Sequence, residues 1–235
     1  MPFWPGVDKK RPDPGVAGLA QSLLAFNHLV SKGNAEAAGT IPAPGSAQPC
    51  AYSRFFAVMN DFLVTDTLAC LAQGIALLRR VSPAQYARPQ PECFHSSLGG
   101  HFRHNLDHYT CYLEGLAGGR VDYDARTRDS LIETDPAYAA GRLEAVGRDL
   151  QALQPDQLAV PLSVRMDTGS DVPDDEAWTP SSGRRELQFL LSHTIHHYAL
   201  IAVICHQLGV ALEPAFGVAP STLRFQQSQG AACAR

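Results

Sequence analysis

The sequence predicts an all-α protein, a four-helix bundle whose long last crossover carries a small β-hairpin. Three observations lead there. Four segments place apolar residues at three- and four-residue spacings, no strand pattern repeats, and two of the helix-to-helix connections are short while the third is long. A chain of 235 residues that is 45% hydrophobic and 18% charged can bury a substantial core, so one core domain is expected over 51–225, after a leader at 1–50 and before a tail at 226–235.

The leader is rich in Pro, Gly and Ala, above all from Gly39 to Pro49, and has little to bury; it is expected to be flexible, with at most one short helix, and dispensable for metal binding. Lys9, Lys10 and Arg11 ahead of the run Val16 to Val30 imitate a secretory signal, but Pro12, Pro14, Gln21, Asn27 and His28 interrupt it. The first core helix spans Tyr52 to Arg80, on the spacing of Phe55, Phe56, Met59, Phe62, Leu63, Leu68, Leu71, Ile75 and Leu78, and stops at Ser82-Pro83. The second runs from Ser97 to Leu116 and is closed by Gly118-Gly119. After a polar loop, Arg120 to Arg128, the third covers Pro136 to Leu153, with Thr134-Asp135 as cap before a helix-starting proline. Alternation over Leu158 to Thr168 pairs it with Ala177 to Thr179 across the acidic turn Asp171 to Glu176. The fourth helix, Gly183 to Leu208, is apolar on nearly every side, which places it in the middle of the bundle; Gly209 ends it, and Glu213 to Arg235 reads as an extended tail.

A net charge of −4 and scattered Lys and Arg give no basic field for nucleic acid. No run approaches the roughly 18 consecutive apolar residues of a membrane span, so a soluble, cytoplasmic protein is expected. The six cysteines include no C-x-x-C pair, which argues against a zinc ribbon or disulfide scaffold; Cys70, Cys111 and Cys205 read as small buried apolar groups.

Six of the nine histidines fall in two clusters, His101, His104 and His108 on the second helix, and His193, His196 and His197 on the fourth. At about 100° per residue the first three share one face, beside the apolar stripe of Leu98, Phe102, Leu106, Tyr109, Leu113 and Leu116 and away from the charged side of Arg103, Asp107 and Glu114. His193 and His197 stand one turn apart, a spacing that lets two imidazoles reach one ion, whereas His196 points elsewhere. That pair plus one histidine of the second helix makes three of four tetrahedral positions, leaving the fourth to water, the arrangement of a catalytic site. Thr194 follows His193, so the H-E-x-x-H peptidase motif is absent.

The stretches Ser97 to His108, Val121 to Arg126, Ser192 to Tyr198 and Phe216 to Thr222 resemble the DinB/YfiT-like superfamily grouped as metal-dependent hydrolases, and the resemblance covers about Tyr52 to Phe225. It implies a four-helix bundle with a histidine triad, whose first ligand falls on His104 and whose pair falls on His193 and His197; the extra histidines leave His101 as substitute for His104. It also implies zinc, nickel or iron as the ion, and either hydrolysis or transfer chemistry with a low-molecular-weight thiol. His108, one turn from His104, is the candidate proton shuttle, with a supporting or exposed histidine as its bland alternative. Glu186 is placed to orient a ligand imidazole or to favour the helix dipole, and Asp122, Asp124, Arg126 and Arg128 to meet an anionic substrate group or simply form a solvated loop. The expected partners are a small-molecule substrate and, at most, a second copy in a homodimer, with neither nucleic acid nor membrane. The rival reading is a non-catalytic metal-binding protein of stress response or interaction, in which the ion only ties two helices together.

Overall fold

The computed structural model describes residues 61–93, 95–169, 173 and 176–232; the expected leader, the start of the first core helix, Cys50 and Cys233 lie outside them. Among the described residues the protein is mostly helical, with one small three-stranded sheet. Four long helices, α1 (Phe62–Leu78), α3 (Leu98–Gly118), α5 (Pro136–Ala152) and α7 (Gly183–Gln207), alternate with the short helices α2 (Pro83–Tyr86), α4 (Ser130–Thr134) and α6 (Pro155–Ala159), and α8 (Pro220–Ala232) follows. Both α1 and α3 pack on α5 and α7.

The helix ends follow from local chemistry. Ser97 accepts a hydrogen bond from the backbone N–H of Gly100 to open α3, and Gly119, at φ 68°, closes it in a left-handed conformation that costs glycine nothing. Asp135 caps α5 by accepting from the N–H groups of Ala137 and Tyr138, with Pro136 fixing the first helical φ. Ser182 caps α7.

The hairpin forms with its first strand inside the expected stretch and its second starting two residues later than expected: β2 (Pro161–Arg165) pairs antiparallel with β3 (Thr179–Ser182), from Pro161 opposite Ser182 to Val164 opposite Thr179. A strand that the sequence reads as loop, β1 (Arg120–Asp122), joins the other edge of β2 in parallel. Three residues are too short to show a period, so only the pairing reveals them. Because β1 leaves α3 directly and β3 leads directly into α7, the sheet ties the end of one histidine-bearing helix to the start of the other. Two buried hydroxyls tie them again: Tyr112 donates to the carbonyl of Gly183 at 3.0 Å, and Tyr109 lies 3.0 Å from the Thr194 hydroxyl.

Three expectations need correction. Phe62 is 70% exposed beneath the Arg184 guanidinium, since the buried face of α1 is that of Leu63, Val64, Thr67 and Leu71. The helix α7 is not buried on all sides: among the described helices it alone is long and apolar enough to cross a membrane, yet 33% of that apolar window is buried and Val203 is half exposed. Its inner face packs on α1 and α3 while Arg184, Arg185 and His196 stay exposed. The stretch from Glu213 is not extended either. Phe216 is buried, stacked on Tyr198 at 4.9 Å, and Pro220–Ala232 is helical.

One close approach fixes the entry of α3. A Cβ on Gly99 would lie 1.9 Å from the carbonyl oxygen of Glu133, at the end of α4, so backbone would have to move. Gly99→Ala is therefore expected to destabilise the protein by about 1–3 kcal/mol in denaturant unfolding. An unchanged midpoint would mean that α4 yields freely.

Candidate metal centre

The two histidine clusters meet where α3 crosses α7. His104 Nε2 lies 3.2 Å from His193 Nε2, which lies 3.0 Å from His197 Nε2, and the three residues offer ligand atoms all within 4.8 Å of one another. Nitrogens held at 2.0–2.1 Å around a tetrahedral ion are about 3.3 Å apart, so the observed spacing suits one ion with little movement. His193 Nδ1 is buried without a hydrogen-bond partner. The rings touch edge to face: His193 and His197 have centroids 4.5 Å apart at 86°. Phe189 covers the other side of His193, nearly parallel at 5.5 Å.

The hydrogen bonds around the three rings define their protons. Arg126 can only donate, and its NH1 sits 3.2 Å from His104 Nδ1, so that nitrogen accepts and the His104 proton sits on Nε2. His101 Nδ1 is 3.0 Å from His197 Nδ1. His108 donates from Nδ1 to the His104 carbonyl at 2.8 Å, which leaves its Nε2 with a lone pair.

Burial favours the neutral form of every one of these rings, and mutual repulsion adds to it. The pKa of His104 is pushed down to about 2, first by burial and then by His108, His197, His193 and Arg126. His197 falls to about 3 and His193 to about 4, again chiefly by burial, and His101 and His108 are lowered for the same reason. Neutral imidazole is the form that binds transition metals. It also sets a pH dependence. These pKa values are depressed on folding, so as pH falls below about 6.5 the unfolded chain takes up protons first. Metal-free protein is thus expected to hold its full stability above about pH 6.5 and lose it progressively toward pH 4 and below. Melting temperature against pH checks this, and His193→Gln should flatten the slope; equal slopes for the two proteins would exclude the histidines as its source.

A cleft of about 560 Å³ opens beside the centre, lined by His101, His104, His197, Arg103, Ser130 and Glu133 among others. That is an ordinary size for a small-molecule site. A second cleft of about 650 Å³ is lined by Arg126, Arg128, Asp124 and Glu186 with residues of the sheet.

Several residues lie elsewhere than the sequence suggests. Asp107 is buried, not on the solvent face, and pairs with Arg103 at 3.1 Å; Arg103 also reaches Glu133 at 2.9 Å. Glu186 is 1% exposed and touches no imidazole. It accepts hydrogen bonds from the Tyr123 hydroxyl at 2.9 Å, from Ser181, and from Arg185 at 3.0 Å, and Tyr123 stacks on His108 at 5.2 Å. His108 is 4% exposed and lines neither cleft. His196 is exposed, as its helical angle requires. Of the polar run after α3, Arg126 enters the centre, whereas Asp122 and Asp124 are engaged by backbone N–H groups, of Asp124 at 2.9 Å and of Asp167 at 2.6 Å. Sequence reasoning missed the partners Tyr123 and Phe189, which carry no periodic signal of their own. Cys70, Cys111 and Cys205 are buried free thiols, and burial pushes them up to about 12, 11 and 11, which makes them unreactive.

No family model matches the chain, and no solved structure matches it. A curated protein of Rhizopus delemar named FK506-binding protein 5 is 34% identical over 110 residues, which are 46% of this chain and 28% of that protein. The chain thus covers under a third of that relative.

Proposed function

We propose that the chain binds one divalent ion, zinc, nickel or iron, through His104, His193 and His197, and that it is a metal-dependent enzyme of the DinB-like kind, its four long helices forming the bundle. The observation that carries this reading is the convergence of three neutral imidazoles beside a cleft. A resident ion would supply Lewis-acid activation of a water or of a low-molecular-weight thiol at neutral pH, for hydrolysis or thiol transfer.

The protein's own residues would do the rest. His101 orients His197 through its Nδ1, and Phe189 keeps water from one face of His193. His108 is the proposed proton carrier through its free Nε2; its burial means that it would act by way of neighbouring groups. The cleft would hold a small-molecule substrate, with Arg103 and Glu133 at its wall. The open cleft at His104 and His197 favours this reading over a non-catalytic metal-binding role, which predicts a closed site.

The test is metal analysis of protein purified without a nickel column, followed by a thiol-transfer and ester-hydrolysis screen. One equivalent of ion that chelation removes is expected. A chain that neither carries nor takes up any of the three metals would sink the proposal.

A further inference from the structure

The contact between Arg126 and His104 suits the metal-free protein and conflicts with the metal-bound one. A histidine that ligates through Nε2 must carry its proton on Nδ1, and it normally gives that proton to a carboxylate, carbonyl or water. His197 can do so, because the His101 nitrogen that faces its Nδ1 can serve as an acceptor. His104 cannot: its Nδ1 faces a guanidinium, which has only donors. Two donors cannot keep this 3.2 Å contact, so in the metal-bound protein they must part and an acceptor must come between them.

Arg126 is otherwise short of acceptors. Its Nε is buried without a partner, and among the described residues no carboxylate pairs with it. Three of the acids that line its cleft hold other donors. Glu186 takes Tyr123, Ser181 and Arg185, Asp124 takes the N–H of Asp167, and Asp167 takes the N–H of Gly169. A half-buried guanidinium with a partnerless Nε and, among the described residues, no carboxylate within ion-pair distance, in a cleft of about 650 Å³, has donors to offer a small anion.

We propose that this second cleft binds a small oxyanion, a carboxylate or a phosphate-type group, held by the Arg126 guanidinium and accepting the Nδ1–H of His104, so that its binding is coupled to metal loading. The anion supplies the outer partner that the chain itself does not offer His104. Arg suits this role because its fork matches planar and tetrahedral oxyanions alike. The coupling is reciprocal: the anion tightens metal binding, and the metal tightens anion binding by the same factor. The coupling rests on the metal reading above; the anion site itself does not.

The test uses the full chain stripped of metal, with acetate and sulfate as probes at constant ionic strength. Zinc affinity is measured by competition with a chromophoric chelator, and the Arg126 Nε–H resonance is followed without metal. Acetate or sulfate is expected to shift that resonance and to raise zinc affinity about tenfold, the lower end of what an outer partner contributes to a ligand histidine. Whichever probe acts more strongly identifies the carboxylate or the phosphate-type source. In Arg126→Gln, zinc affinity should be independent of anion and, without anion, at least that of the wild type; Arg126→Lys should keep part of the dependence. Stoichiometric zinc binding that neither anion nor Arg126→Gln alters would overturn the proposal and leave the metal reading intact. Anion-dependent shifts with no zinc binding would sustain the anion site and sink the metal reading together with the coupling. A resonance that neither probe moves overturns the anion site.

Discussion

His104→Ala is expected to empty the metal centre, while His108→Ala keeps its metal. The first substitution leaves His193 and His197, an i, i+4 pair whose two nitrogens would reach an ion from one helix only. Losing a residue that merely supports a ligand costs about 10–100-fold in affinity, so losing a ligand should weaken binding by more than about 100-fold. His104→Ala also removes the link across α3 and α7, and with it the rise in melting temperature that added zinc should give the wild type. His108 lies behind these histidines, bonded to the His104 carbonyl and packed between Tyr123 and His193. Its removal leaves a cavity and takes one of two hydrogen bonds from the His104 carbonyl, which keeps its helical backbone bond, a loss of about 1–3 kcal/mol in stability, with metal retained and turnover reduced. Equilibrium dialysis against zinc with melting curves separates the two. If His101→Ala or His108→Ala abolishes binding and His104→Ala does not, the ligand assignment is wrong by one helical turn.

Glu186→Ala should be the most damaging change outside the histidines. A carboxylate that is 1% exposed survives there because three donors converge on it, from Tyr123, Ser181 and Arg185. Removing it strands the Tyr123 hydroxyl, itself 2% exposed, and loses charge-assisted hydrogen bonds, for an expected loss of about 3 kcal/mol. At about 2–4 °C per kcal/mol for a chain of this size, the melting temperature should fall by about 6–12 °C. Glu186→Gln keeps an acceptor and should lose less, and in Tyr123→Phe the further loss on removing Glu186 should shrink. Because Tyr123 stacks on His108, Glu186→Ala should also disturb the His108 ring signal. A melting temperature within a degree of the wild type would show that the carboxylate is not held as the structure places it.

The long helices were legible because their determinants are local. The caps Ser97 and Asp135, the closing Gly119 and the apolar spacing of α3 and α5 act within a few residues. The pairing of His193 with His197 is equally local, one turn of one helix. β1 and the pair of hydroxyls that lock α3 to α7 were not legible, since each depends on a partner more than forty residues away in the chain.

By itself the sequence determined that two histidine clusters stand on two amphipathic helices, with the ring of His196 turned away. Tertiary structure decided everything that needs two helices at once. It brought His104 rather than His108 to the His193 nitrogen, set Arg126 against the far side of the His104 ring, and turned Glu186 from the imidazoles to Tyr123. The physical reason is one of range. Helical periodicity fixes direction within a segment, but the choice between neighbours a turn apart depends on how far α3 slides along α7, and that is set by the sheet and the buried hydroxyls that clamp the two helices together.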